Sequence, residues 1–162
     1  LGLDTRRIAV SGNSAGGHLA LMLAATADVP QFEGDGGSPG AGTSVAAAVS
    51  FYGITSIEPG GAFLKDSLED LLGADADRDR YREASPLAYA HDRFPPTLIL
   101  QSNQDQVVPR TQSIMLYEAL LDAGVPVELH MFDREGHMFD GSKAIGRQCA
   151  EIMRLFLERY LA

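Results

Sequence analysis

One serine of this 162-residue chain stands in a pattern that suits nucleophilic chemistry. Ser14 lies in the segment GNSAGG, between a short apolar run and a longer apolar segment that we expect to be a strand and a helix. A Gly-x-Ser-x-Gly pattern at such a junction is typical of a sharp turn that strains the serine backbone and lifts its hydroxyl clear of the sheet. We expect Gly12, Asn13 and Gly16 to form this nucleophile elbow, with glycine at two positions because side chains there would collide.

The turn also has two simpler interpretations. Glycine-rich turns often join a strand to a helix without any catalytic role, and a phosphate-binding loop is a second alternative, although the lysine of a P-loop is missing. A serine hydroxyl is a weak nucleophile that needs a base, and the base needs a third group to orient it. If both exist, Ser14 is the nucleophile, and the amide of Ala15 at the start of the helix would donate to the oxyanion.

Asp105 and His137 are the candidates for these two roles. Asp105 follows the predicted strand 97–102, and His137 follows the predicted strand 125–132. The order serine, acid, histidine is the one expected when the nucleophile stands on a strand-to-helix turn. Because ligands bind at the carboxyl ends of parallel strands, we expect the three side chains to converge at that edge of the sheet. The sequence therefore predicts a catalytic triad of Ser14, Asp105 and His137.

The other histidines suit structural roles better. His18 lies one helical turn past the serine, where we expect packing or capping. His130 alternates along a predicted strand, where we expect burial, and His91 lies in an irregular segment, where we expect a solvated loop. Three acidic residues close to His137 in sequence are alternatives to Asp105, but the backbone would have to double back for any of them to orient the imidazole: Asp133, Glu135 and Asp140.

Strands and helices alternate along the chain. Apolar runs of strand length occupy residues 7–12, 45–52, 97–102 and 125–132. Helical patterns cover 15–27, 63–72 and 111–123, and a last helix places Ile145, Cys149, Ile152, Phe156 and Tyr160 on one face. Gly124 is placed to end the third helix, and segment 28–44 is a loop rich in glycine and acidic residues. The alternation predicts a three-layer α/β/α domain with a parallel sheet.

Composition excludes several classes of partner. The net charge of -9 argues against nucleic acid, whose phosphates are bound by lysine and arginine, and against anionic membrane surfaces. The longest apolar stretch, at 19–25, is far too short to span a bilayer. The single cysteine, Cys149, has no partner for an intramolecular disulfide, and its apolar helical surroundings predict a buried, inert thiol. We therefore expect neither a nucleic acid nor a membrane as partner.

Short segments spread over nearly the whole chain match one group of hydrolases. They are SAGGHLA at 14–20, FEGDGG at 32–37, FYGIT at 51–55, ASPL at 84–87, PTLIL at 96–100 and GHMF at 136–139. In these segments the chain resembles bacterial carboxylesterases related to the hormone-sensitive lipases, and among them the feruloyl and acetyl-xylan esterases. The resemblance implies one partial domain over 1–162, the C-terminal half of an eight-stranded α/β-hydrolase fold. It also implies hydrolysis of small-molecule esters through an acyl-enzyme, with no metal or organic cofactor.

The chain departs from that family in three ways. Gln101-Ser102 stands where the family usually has His-Gly, and Met138 stands where it usually has glycine. The family's first strands and its His-Gly-Gly oxyanion loop lie before the elbow, so we expect a companion N-terminal segment, or a second copy paired at the exposed edge of the first strand. Without either, the alternative is an incomplete hydrolase fragment that only folds or associates. Amidases and peptidases use the same triad.

Overall fold

A computed structural model describes residues 2–27, 29–34, 36–38, 40–58 and 65–162. Four strands form one sheet: β1 (Ala9–Asn13), β2 (Ala47–Phe51), β3 (Thr97–Ser102) and β4 (Val127–Phe132). Their order in the sheet follows their order in the chain, and every pairing is parallel. All residues of β2 and β3 are buried, whereas β1 and β4, the outer strands of the described sheet, are only partly so.

Five helices accompany the strands: α1 (Ala15–Ala25), α2 (Lys65–Leu72), α3 (Arg78–Glu83), α4 (Thr111–Asp122) and α5 (Lys143–Leu161). The predicted helices are present, with ends that differ by at most two residues; the predicted start of α2 at 63–64 lies outside the described residues. Gly124 follows α4 with φ +75°, as its predicted role requires. The short, polar α3 was not predicted. It begins at Asp77, whose carboxylate accepts the Arg80 amide.

The helices cover both faces of the sheet. On one face, Cys149 and Phe156 of α5 pack in a cluster with alternate residues of the strands, including Leu98 and Leu100. On the other face, α1 and α4 pack in a second cluster that includes Ile99. Successive side chains of a strand point to opposite faces, so one strand serves both clusters. The predicted three-layer α/β/α arrangement is confirmed.

Cys149 behaves as a structural thiol. Only 2% of the residue is exposed, and burial raises the pKa of its thiol to about 11. The thiol therefore stays protonated near neutral pH.

Within the described ranges, none of the five helices combines the length and the apolar character that crossing a bilayer demands.

The parallel sheet brings the ends of its strands together. Ser14 follows β1 directly, Tyr52 follows β2, and the loops after β3 and β4 carry Asp105 and His137. All four residues therefore lie at the carboxyl edge of the sheet, where open α/β sheets bind ligands.

Candidate active site

Ser14 occupies the sharp turn between β1 and α1. Its backbone has φ +54° and ψ −119°, which is rare for a residue with a side chain. The Ser14 amide donates to the Phe51 carbonyl at 2.9 Å, and its carbonyl accepts the His18 amide at 3.0 Å. A Cβ on Gly12 would lie 2.1 Å from the Gly16 carbonyl oxygen. Glycine is thus required at position 12, as predicted.

The predicted need for glycine at position 16 is wrong. Apart from its chain neighbours and the backbone of its own helix, a Cβ built on Gly16 meets no described atom within 4 Å. The crowded position is the next one, where a Cβ on Gly17 would lie 3.0 Å from both the Gly53 Cα and the Phe51 carbonyl oxygen. Adjacent helical residues point about 100° apart, so the face of α1 that packs against the chain after β2 carries Gly17 and leaves Gly16 in open space.

The structure brings the three predicted side chains together. Nε2 of His137 lies 3.0 Å from Oγ of Ser14, and Nδ1 lies 2.7 Å from Oδ2 of Asp105. A carboxylate only accepts hydrogen bonds, so Nδ1 carries the proton and Nε2 presents its lone pair to the hydroxyl. Oδ1 of Asp105 accepts the amides of Val107 and Val108, each at 2.8 Å. Such a line of groups can move a proton off the serine oxygen.

The first turn of α1 faces the same place. Ala15 is its first residue, and the first amides of a helix have no acceptor within the helix. The positive end of the helix dipole also favours negative charge there. The position suits Ala15 as a donor to an oxyanion, which stays a prediction. In the described part of the chain, no group of three or more histidine, cysteine or acidic side chains is arranged to hold a metal ion.

A second cluster, the Asn13–Tyr52–Asp140 cluster, lies beside these residues. The Tyr52 hydroxyl donates to Oδ1 of Asp140 at 2.5 Å. Asn13 Nδ2 donates to the Tyr52 oxygen at 3.0 Å and to Asp140 Oδ2 at 2.7 Å. The Tyr52 ring meets the His137 ring at 4.6 Å between centroids. Burial, followed by the bond to Asp140, raises the pKa of Tyr52 to about 12, so the phenol keeps its proton.

This cluster was not predicted as a unit, and the strand-end argument that found the triad could have found it. Tyr52 follows β2 as directly as Ser14 follows β1, and Asn13 is the last residue of β1. Asp140 lies only three residues beyond His137. Its closeness to His137 in sequence marks it only as an alternative acid.

Known proteins match this chain in sequence and in structure. The family model described as BD-FAE matches residues 1–120, which is well over half of the chain. The chain belongs to the BD-FAE family. Esterase LipQ of Mycobacterium tuberculosis is 32% identical to this chain, over 96% of this chain and 38% of its own length.

Solved structures of hydrolases also match the chain. Esterase 2 of Thermogutta terrifontis with propionate bound superposes with a TM-score of 0.79 at 27% identity, and the match covers 98% of this chain and 57% of the esterase. The same esterase phosphonylated by cyclosarin also gives 0.79 and 27%, over 98% and 56%. An acetyl ester-xyloside bifunctional hydrolase from Caldicellulosiruptor lactoaceticus gives 0.80 and 25%, over 98% and 59%. The predicted α/β-hydrolase fold is confirmed, and the chain spans less than two thirds of the length of each of these relatives.

The residues that replace the usual His-Gly of the resembling family support the loops of the site. Gln101 is fully buried. Its Nε2 donates to the Val108 carbonyl at 3.3 Å, and its Oε1 accepts a hydrogen bond from the Ser102 amide at 2.7 Å. Ser102 Oγ donates to the Gly136 carbonyl at 3.3 Å. These two side chains therefore tie the loop of the acid and the loop of the histidine to β3.

The alternative acids do not orient His137 directly, because both of its ring nitrogens are engaged by Ser14 and Asp105. Asp133 instead accepts a hydrogen bond from Asn103 at 2.8 Å and forms an ion pair with Arg134. The other two acids are Glu135, beside the histidine loop, and Asp140, in the second cluster.

The other three histidines lie outside the hydrogen-bonded line of Asp105, His137 and Ser14. Nδ1 of His18 donates to the Ile54 carbonyl at 3.1 Å, and burial lowers its pKa, so the packing prediction is confirmed. The expected burial of His130 is wrong: its side chain is 39% exposed and lies 3.3 Å from Glu128, because β4 is an outer strand of the described sheet. His91 lies in a turn and accepts a backbone amide two residues further on.

Left-handed backbone concentrates around the site. Among the described residues other than glycine, φ is positive at four positions: Ser14, Tyr52, Arg134 and Met138. All four lie in the elbow, directly after β2, or in the segment that carries the histidine. Strained conformations of this kind cluster at functional sites. Met138, at φ +62°, also explains why glycine suits that position in the resembling family.

Proposed function

We propose that this chain carries the catalytic residues of a serine esterase, which hydrolyses small carboxylic esters through an acyl-enzyme. The observation that carries the proposal is the continuous hydrogen-bonded line from Asp105 through His137 to Ser14. The family assignment gives the reaction class, since relatives that cover most of this chain are named esterases.

In the first half-reaction, Ser14 attacks the ester carbonyl. His137 Nε2 takes the hydroxyl proton as the Oγ–carbon bond forms, and the carbonyl electrons move to oxygen. The Ala15 amide would donate to that oxyanion. The positive charge on His137 is balanced by Asp105, whose carboxylate is fully shielded from solvent. Collapse then breaks the bond to the alkoxy oxygen, which leaves as the alcohol with the proton from Nε2.

In the second half-reaction, water replaces the alcohol. His137 takes a proton from water as the water oxygen attacks the acyl carbon, and a second tetrahedral intermediate forms. Its collapse releases the carboxylic acid and returns the proton to Ser14. No metal or organic cofactor takes part in this scheme.

We propose short acyl groups as substrates. A solved relative holds propionate, and another is named for acetyl esters. The relatives are much longer than this chain, so we propose that residues outside it complete the acyl and alcohol pockets. We further propose that the open edge of β1, a strand that pairs only with β2 in the described sheet, is covered by another strand in that enzyme.

Fluorophosphonate labelling tests the nucleophile in the full natural protein. We expect a single adduct on Ser14, and loss of the label in Ser14→Ala and His137→Ala. Hydrolysis of p-nitrophenyl acetate by both variants should fall by about 10⁴-fold or more. The matched control is Ser67→Ala, because Ser67 is an exposed serine of α2 that lies outside the described sheet. The proposal fails if Ser14→Ala keeps its activity, and an anilide hydrolysed faster than its ester would point to an amidase.

A further inference from the structure

We propose that Tyr52 and Asp140 are positioning residues, which hold the histidine loop against the nucleophile elbow. The inference rests on the proposed function, because it assigns a role toward His137 and Ser14. The contacts that carry it join three segments that are distant in sequence and that meet only at this edge of the sheet.

Tyr52 stands where these segments meet. It follows β2, it contacts Asn13 at the end of β1, and it contacts Asp140 in the turn Phe139–Gly141. Asn13 also reaches Asp140 directly, so the three side chains form a closed triangle of hydrogen bonds. Asn13, one member of this triangle, directly precedes Ser14 in the sequence. The triangle therefore fixes the distance between the segment that holds the nucleophile and the segment that holds its base.

The Tyr52 ring also supports the imidazole itself. Its plane is inclined by 63° to the His137 ring, an edge contact, and Phe139 meets its ring at 5.2 Å. Only 2% of Tyr52 is exposed, and its φ of +40° is unusual for a bulky residue. A side chain that is buried, strained and bonded through its hydroxyl leaves the histidine few alternative orientations.

Asp140 is bonded within this triangle by neutral donors only. Both of its oxygens are engaged, one by the Tyr52 hydroxyl and one by the Asn13 amide.

Catalysis needs the reacting atoms within a narrow range of distance, and a misplacement of about 1 Å can cost about a hundredfold in rate. Loosening the triangle should therefore slow turnover without weakening substrate binding.

Steady-state kinetics of Tyr52→Phe and Asp140→Asn in the full natural protein test the proposal. We expect kcat to fall by about 10- to 100-fold in each variant, with KM changed by less than about twofold. The double variant should be little worse than either single one, because residues that act as a unit are not additive. Titration with a fluorophosphonate counts the folded active sites, so a loss of folded enzyme is separated from slow turnover.

Matched controls remove the same groups elsewhere. Tyr89→Phe deletes a hydroxyl that donates to the Glu83 carbonyl at the surface, and Asp122→Asn neutralises an exposed acid at the end of α4. Both should keep the parental kcat. Position-swapped N13D/D140N restores one amide and one carboxylate within the triangle, and it should recover much of the kcat lost in Asp140→Asn.

The outcomes separate the two proposals. If Ser14→Ala retains activity, the proposed function fails whatever the other variants do. If Ser14→Ala is inactive while Tyr52→Phe and Asp140→Asn match their controls, the positioning role alone is refuted. A Tyr52→Phe variant that does not fold leaves Asp140→Asn and the swap to decide the question.

Discussion

Asp105→Asn is the substitution that tests the triad geometry most directly, because the two oxygens of Asp105 have different partners. Oδ1 accepts the amides of Val107 and Val108, and Oδ2 accepts Nδ1–H of His137. An asparagine can keep its oxygen on the two amides. Its NH₂ group then faces Nδ1, which must give up its proton in order to accept. The proton moves to Nε2, where the Ser14 hydroxyl needs a lone pair.

The expected loss in kcat is about 10⁴-fold, the typical effect of an imidazole held in the wrong tautomer. At 1.36 kcal/mol for each factor of ten, this is about 5.4 kcal/mol of transition-state stabilisation. The free energy of unfolding should change by less than about 1 kcal/mol, because the loop keeps its acceptor. Asp105→Ala should lose the same activity and also about 1–3 kcal/mol of stability, since the buried Val108 amide loses its partner.

The assay is p-nitrophenyl acetate hydrolysis by the full natural protein, paired with urea unfolding of each variant. The control is Asp133→Asn, which neutralises a largely exposed carboxylate that follows β4. It should stay within about twofold of the parent. An Asp105→Asn enzyme within tenfold of the parental kcat would refute the assignment of the acid. So would an Asp133→Asn enzyme that is the more severely impaired.

The remaining predictions concern stability. Gly12→Ala should lower the free energy of unfolding by more than about 3 kcal/mol or prevent folding, because its Cβ would overlap the Gly16 carbonyl. Gly16→Ala should change the free energy of unfolding by less than about 1 kcal/mol. Equal effects of the two substitutions in urea unfolding would contradict this prediction. Burial lowers the pKa of His18, so below pH 6.5 the unfolded state binds more protons there. Stability should therefore be fully present above pH 6.5 and decline as the pH falls toward the lower folded pKa. His18→Gln should flatten that decline in urea unfolding between pH 5 and 7.5, and an unchanged slope would count against it.

The strand and helix pattern was predictable because the sheet is buried on both faces. Continuous apolar runs such as 97–102 mark such strands, and their bounds agree with the structure to within about two residues. The convergence of Ser14, Asp105 and His137 was predictable for a related reason. Parallel strands bring their carboxyl ends to one edge, so three residues that each follow a strand must lie near one another.

The sequence does not predict features that depend on the direction of a helix, on the order of strands in the sheet, or on contacts between distant side chains. The open space beside Gly16 depends on the direction in which α1 leaves the turn, which puts Gly17 rather than Gly16 against Gly53. The exposure of His130 depends on which strands are outermost, which alternation along one strand does not encode. The hydrogen bonds of Asn13 and Tyr52 depend on rotamers of residues that are distant in the chain.

The sheet order has a consequence for the newborn chain. Each strand of the described sheet lies beside the one before it, so each strand can pair with its predecessor as synthesis proceeds. Ser14 and His137 are 123 residues apart, after the first and the fourth strand of the described sheet. The contact between Nε2 of His137 and the Ser14 hydroxyl therefore forms only once β4 has paired with β3. A partly synthesised chain thus carries the serine before it carries the histidine that contacts it.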